Sequence, residues 1–204
     1  DICILSSALN QSKYDLLIEN YFDKISKKDG ITSLNTAFSS EGSFIHIPKN
    51  VQVDKPIQVI YFSTGKNESV FYQPRNLIIV GENSQVEIIE RHQSLSENSV
   101  LVNSVSEIYC NARSVVKHYK IQNDKTNASL IDNTFVSQER NSDYSLHTFS
   151  LGGELTRNNL SILQNGERIE STINGITIIG ANQHVDHNTL IPVSYTHLTL
   201  PTKA

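Results

Sequence analysis

The chain has 204 residues, of which 38% are hydrophobic and 19% charged, with a formal net charge of −4. That length allows one medium domain, or a domain with an appendage, and a substantial core. The mildly acidic balance argues against nucleic acid as the main partner, because phosphate binding needs a clustered basic surface. The basic cluster Lys24, Lys27 and Lys28 reads as the solvated end of a helix, favoured by its dipole. No apolar run approaches the ~20 residues needed to span a bilayer, and no signal peptide is visible, so no membrane partner is expected. The two cysteines, Cys3 and Cys110, stand far apart without a C-x-x-C arrangement, which makes a reducing cytoplasm the default setting. Cys110 ends a strand-like segment and reads as a small buried hydrophobe.

Near the N-terminus, Tyr14, Leu17, Ile18, Tyr21, Phe22 and Ile25 fall at helical spacing and predict one apolar stripe on a helix of about four turns. Ser12 is its expected N-cap and Gly30 its expected far end, giving a helical segment over residues 1–30. A Ser/Asn-rich connection follows, then Ser43–Ile47 and Ile57–Phe62 as the first strands, with Pro48 and Pro56 bracketing a short excursion.

From about Leu77 to Pro192 the chain becomes a ladder of short segments rich in Ile, Val, Thr, Tyr and Phe: NLIIV, QVEIIERH, VLVNSVSEIY, SVVKHYKIQ, ASLIDNTFV, YSLHTFSL, TRNNLSILQ, RIESTI, GITIIG and HVDHNTLI. Each fits a strand with one face buried. The turns between them (Gly81–Ser84, Cys110–Ala112, Arg140–Asp143, Asn165–Glu167) recur about every 25 to 30 residues, the period of a solenoid. Asn concentrates at these turns, where it tolerates left-handed backbone geometry and bonds neighbouring backbone. The expected fold is mainly β: a parallel β-helix over residues 31–192 behind the short helical segment. The start at Asp1 without any methionine reads as a fragment, and Val193–Ala204 breaks the strand rhythm and reads as a non-native tail.

Three stretches carry a family resemblance. The first is Leu34–Phe38, Gly42, Phe44–Val51 and Lys55–Ile57. The second is Arg75–Ser84 with Glu90, Arg91 and His92 beyond. The third is Leu151-Gly152-Gly153, Arg157, Leu163, Gly166-Glu167, Asn174-Gly175 and His184-Val185-Asp186-His187-Asn188-Thr189. In this order they resemble the SufB/SufD family, scaffold subunits of the SUF iron–sulfur cluster assembly system, and the third stretch looks more like SufD. The resemblance implies a right-handed parallel β-helix core between helical parts, a SufB-like paralogue paired edge to edge, and a SufC-like ABC-type ATPase bound by the C-terminal helices. It implies a scaffold rather than an enzyme, with an iron–sulfur cluster formed in the assembled complex and none held by this stretch. The resemblance further implies that the family's cluster-assembly Cys and partner His lie on later strands, beyond an expected C-terminal truncation of this chain.

Few residues stand out as sites in their own right. His184-x-Asp186-His187 is the densest set of potential metal ligands, but in a strand His184 and Asp186 share one face while His187 takes the other. Arg157, Gly166 and Asp186 are the positions that match the family pattern, Arg157 reading as an internal ion pair or carbonyl clamp and Gly166 as a tight corner. His92, His118 and His147 could meet only if the coils stack them. No phosphate-binding glycine loop is present, so any ATP belongs to a partner. The rival classes are a β-helical carbohydrate-active enzyme and a purely structural interaction module. For the enzyme the acids Glu87, Glu90, Glu107, Asp132, Glu170 and Asp186 are scattered without a tight pair.

Overall fold

The computed structural model describes residues 1–39, 41–64, 68–180 and 182–192. The N-terminal part holds strand β1 (Ile2–Ile4), helix α1 (Leu5–Leu9), a single helical turn at Ser12–Tyr14, α2 (Asp15–Tyr21) and α3 (Gly30–Phe38). Strands β2 (Ser43–Ile47), β3 (Ile57–Ser63), β4 (Val70–Tyr72), β5 (Arg75–Val80), β6 (Gln85–Ser94), β7 (Val100–Cys110) and β8 (Val115–Gln122) follow. The series ends with β9 (Ala128–Glu139), β10 (Asp143–Ser150), β11 (Leu155–Asn165), β12 (Glu170–Thr177) and β13 (His184–Leu190).

Alternate strands go to alternate sheets. One sheet runs β1-β2-β5-β7-β9-β11-β13, with β4 also pairing β7, and the other runs β3-β6-β8-β10-β12. All pairs are parallel except β1 with β2. The result is a β-solenoid of about five turns, as the strand and turn rhythm predicts. Each coil copies its pattern onto the next: Val86 pairs with Val116, Val116 with Tyr144, and Tyr144 with Ser171. The inward residues therefore form files, and Ile45, Ile78, Ile108, Val136, Val86 and Val116 are among those packed into one apolar core inside the coils.

The corners are built on left-handed residues. Asn50, Asn83, Arg113, Asn141 and Arg168 have φ between 56° and 62°. The N–H of each of the first four donates to a carbonyl of the following coil (Glu82, Ala112, Arg140 and Glu167) at 2.9–3.0 Å. Asn is expected there because its short polar side chain lowers the cost of this conformation. In the turn after β7 the left-handed residue is Arg113, which also ion-pairs with Glu82 on the neighbouring coil.

The helical stripe exists but not as one helix. Tyr14 is buried, and Leu17, Ile18, Tyr21, Phe22 and Ile25 pack with it on the outer face of the first sheet against Phe44, Leu77, Ile79 and Tyr109. The helix ends at Tyr21, however, and Ser12 makes no side-chain cap. Gly30 opens α3 instead of closing α2, because the Asp29 carboxylate accepts from the Thr32 N–H at 2.9 Å and caps a helix where a loop was expected. The lysine cluster accordingly lies in the irregular segment after α2, where Lys28 pairs with Asp23 and Lys27 approaches Asp29. Near the other end, RIESTI and GITIIG are not separate strands: β12 runs straight through Asn174-Gly175 in register with β10. Val193–Ala204 lies outside the described residues.

Gly42, at the entry to β2, has φ 133°, and a Cβ there would stand 1.8 Å from the Arg75 carbonyl oxygen. Gly30 has open space around it. Gly42→Ala should cost on the order of 3 kcal/mol or more. Gly30→Ala, inside a helix, should be neutral or stabilise by up to about 1 kcal/mol. Urea midpoints of the two variants check the contrast, and equal effects would refute it.

Candidate functional site

Next to the main apolar cluster of the interior lies a polar zone. Along β6 and β8 the inward positions change from Val86, Ile88 and Val116 to Glu90, His92, His118, Lys120 and Gln122, all of them buried. The Glu90 carboxylate meets both imidazoles, His92 Nε2 at 2.9 Å and His118 Nε2 at 3.1 Å. Lys120 Nζ donates to Asp132 at 2.5 Å and Thr134 at 2.6 Å across the interior, with Glu90 at 3.7 Å. His118 Nδ1 lies 3.0 Å from the Tyr144 hydroxyl. Burial opposes ionisation of Glu90, but the Lys120 charge and the hydrogen bonds from His118 and His92 outweigh it and hold the carboxyl well below its usual range. Burial also disfavours the Lys120 ammonium, yet Asp132 and Glu90 push its pKa up. His118 is pushed down, because burial outweighs its bond to Glu90. The Cys110 thiol is raised by burial, as befits an inert, buried hydrophobe.

A second buried ion pair clamps the N-terminal part to the solenoid. Arg75 and Glu107 lie on the outer face of β5 and β7, and their side chains are 0% exposed. They meet at 2.5 Å. Glu107 also accepts the backbone N–H groups of Asp23, Ile25 and Ser26 at 2.7, 3.0 and 3.2 Å. Arg75 reaches Asp23 at 3.2 Å and Thr36 of α3 at 3.3 Å. Burial works against the Asp23 carboxylate, but hydrogen bonds from Lys28 and Ser26 and the Arg75 charge hold it below its usual range. Removing one partner of such a pair leaves the other buried and uncompensated. Glu107→Gln should cost about 3–5 kcal/mol. Its amide exchange should rise over residues 22–38 well before that of β8 and β10. Unchanged protection of 22–38 would show the clamp to be idle.

The sequence-marked ligands do not converge. Arg157 and Asp186 are register partners on β11 and β13 and form an exposed ion pair at 3.5 Å. His187 points the other way, to Asn158 at 3.3 Å and Thr177 at 3.1 Å. His184 pairs in register with Leu155 on the outer face. Among the described residues no group of three or more His, Cys, Asp or Glu side chains is placed to hold a metal ion. Arg157 and Asn159 line a groove of about 650 Å³ between the segment around Ile25–Ile31 and the outer faces of β9, β11 and β13. Gly166 has an ordinary φ; it is glycine because a Cβ would come within 2.7 Å of the Arg140 N–H nitrogen on the preceding coil.

Five of the six carboxylates of the carbohydrate-enzyme reading are held in ion pairs, and the sixth, Glu170, lies exposed at the start of β12. Glu90 and Asp132 converge, but around Lys120 inside the coils; Glu107 is buried with Arg75, and Glu87 pairs with Lys117. Of the three histidines, His92 and His118 do meet through Glu90, whereas His147 faces outward and stacks on Tyr119 at 5.0 Å. The roles of Lys120 and Arg75 were missed in the sequence. Lys120 could have been found by parity, since it alternates with the buried Val116 and His118. Arg75 carries no such signal, because its partner Glu107 is set by the pairing of β5 with β7.

Residues 61–199 match the family described as SUF system FeS cluster assembly, SufBD core domain, and residues 2–59 match the SufBD protein N-terminal region. An iron–sulfur cluster assembly SufBD family protein of Synechocystis is 29% identical over 191 residues, covering 88% of this chain and 42% of the relative. The iron–sulfur cluster assembly protein SufB of Bacillus subtilis is 29% identical over 183 residues (88% and 38%). The chloroplastic protein ABCI7 of Arabidopsis thaliana is 30% identical over 155 residues (73% and 33%). The chain thus spans less than half the length of each of these relatives. With a two-sheet parallel solenoid, an N-terminal part clamped to its outer face and both family regions matched in order, the chain belongs to the SufBD family of SUF iron–sulfur cluster assembly proteins.

Proposed function

We propose that the parent protein is a SufD-like scaffold subunit of a cytoplasmic SUF complex, not itself catalytic, which pairs with a SufB-like paralogue and works with a SufC-like ATPase. The observation that carries this is the family match across the solenoid, joined to an interior in which the convergent acids are consumed by ion pairs. The iron–sulfur cluster is then the cargo of the complex. The SufD-like reading is supported by the joining of two motifs: Arg157 of the LGG…R stretch is the cross-strand partner of Asp186 in HVDHNT. The paired-scaffold reading is supported by β12 and β13, each of which ends its sheet among the described residues and offers a free edge for further strands.

The full-length protein, purified from its host under anaerobic conditions, should bring down a SufB-like paralogue and an ABC-type ATPase. Purification alone, with neither partner, would sink the proposal. Anaerobic reconstitution of residues 1–204 with iron and sulfide should leave no stoichiometric cluster in visible absorption, whereas the assembled complex should acquire one. A cluster held by residues 1–204 alone would refute the expectation that this stretch holds none without the rest of the complex.

A further inference from the structure

The two sheets are covered unequally. The helices pack on β1, β2, β5 and β7, all of them in the first sheet. The outer face of the second sheet is instead sorted by polarity. Near the start of its strands it bears charge: Glu87 pairs with Lys117 at 2.8 Å, and Asp143 lies in register with Glu170 one row away. Further along, stacking sets Ile60, Arg91, Ile121, Phe149 and Ile176 in one row across all five strands. The row beside it runs from Gln58 through Ile89, Tyr119 and His147 to Asn174, with the Tyr119 and His147 rings stacked. Neither row holds Lys, Asp or Glu, whereas aromatic rings and Arg are present, which is the composition of a contact surface. Ile60 and Ile176 are 40% and 53% exposed, and so is Phe62, two residues beyond Ile60, at 53%.

Arg91 says what should cover this band. It is half-buried, its Nε is shut off from water with no hydrogen-bond partner, and its guanidinium enters no ion pair among the described residues. The acid on its own face of β6, Glu87, is taken by Lys117. An occupant without a carboxylate would bury that charge unpaired, whereas one with a carboxylate gains a fork-shaped, charge-assisted pair. Size narrows the choice further. Five strands span ~20 Å and the two rows roughly 10 Å, well short of the ~800 Å² per partner of a stable globular interface. That is too little for a second copy of this chain, but one helix of about 13 residues, ~20 Å long and ~10 Å across, covers it. We infer that an amphipathic helix of a partner protein lies along this band, across the strands of the second sheet, with a Glu or Asp in its apolar stripe paired to Arg91. The surface is separate from the strand edges of β12 and β13, and nothing in it depends on the assembly role.

The test is photo-crosslinking in host cells of the full-length protein carrying p-benzoylphenylalanine in place of Ile121, with Gln85, at the charged end of the same face, as the control position. The probe at 121 should give one main adduct, identified by mass spectrometry as a peptide of another protein. Its apolar residues should recur at i, i+3, i+4 and i+7 around a Glu or Asp. The control should give about tenfold less, and Arg91→Glu should lower the adduct at 121 by about tenfold or more. Changing the partner's acid to Lys should then restore it. An adduct to this protein's own chain, as a second copy or another segment, would overturn the inference. So would the lack of any adduct, or one that Arg91→Glu leaves unchanged. Urea midpoints check that Arg91→Glu folds; should it not, loss of the adduct in Arg91→Gln, which removes the charge without reversing it, decides the matter.

Discussion

Parallel, in-register stacking governs everything else in this molecule. Because each strand lies on the one a coil earlier with no slip, a residue's side of the sheet is inherited from coil to coil, and its neighbours are fixed about 30 positions away (Val86 with Val116, Glu90 with Lys120). An apolar residue placed inward simply extends a file. A charged residue placed inward must find its counter-charge on an adjacent coil or across the interior, since water cannot reach it. Lys120 illustrates both routes, with Glu90 beside it in register and Asp132 opposite on β9.

The same stacking explains why the interior is sorted into apolar and polar zones. Inward residues near the corner that follows β5, β7 and β9 are Val80, Ile108, Val136 and their companions, and they supply non-directional burial. Further from that corner come Glu90, His92, Lys120, Asp132 and Thr134, whose bonds are directional, and on β7 and β9 a second apolar cluster of Val100, Val102, Ala128 and Leu130 lies beyond them. Replacing such a buried network with apolar residues often costs nothing in stability. Its geometry, however, tolerates no shift of one strand past another, because a one-residue slip would turn every charge outward. The apolar files forbid that slip as well; the directional bonds add a penalty for a two-residue slip, which would part Glu90 from Lys120 while leaving each file inward.

Much of the fold was legible in the sequence, for reasons that lie in individual residues. Strands such as QVEIIERH and SVVKHYKIQ declare themselves by period-two alternation, and Asn83 and Asn141 declare corners by their tolerance of positive φ. The misreadings were local and chemical. Gly30 resembled a helix end, but the capping side chain sits one residue earlier, on Asp29, so the glycine begins a helix. Asn174-Gly175 resembled a turn, yet the register with His147 and Thr148 of β10 carries the strand straight through it. Turn-forming residues are permissive, not compulsory, and neighbouring-coil hydrogen bonds decide.

The site was less legible because its partners are not neighbours in sequence. Glu107 was visible as an acid and Arg75 as part of a family stretch, but their 2.5 Å contact and the three backbone N–H groups gathered by Glu107 depend on where the segment after α2 lands. That landing is itself determined by Tyr14, Leu17, Ile18 and Tyr21, legible in the sequence as an apolar stripe that must dock on the solenoid or on a neighbouring helix. They cover the outer face of the first sheet beside the clamp, and Tyr109 joins the two by donating its hydroxyl to the Tyr21 carbonyl at 2.6 Å. Burial brings the segment down, and the ion pair then fixes its position. The second step is needed because hydrophobic contact alone specifies a face and not a position on it.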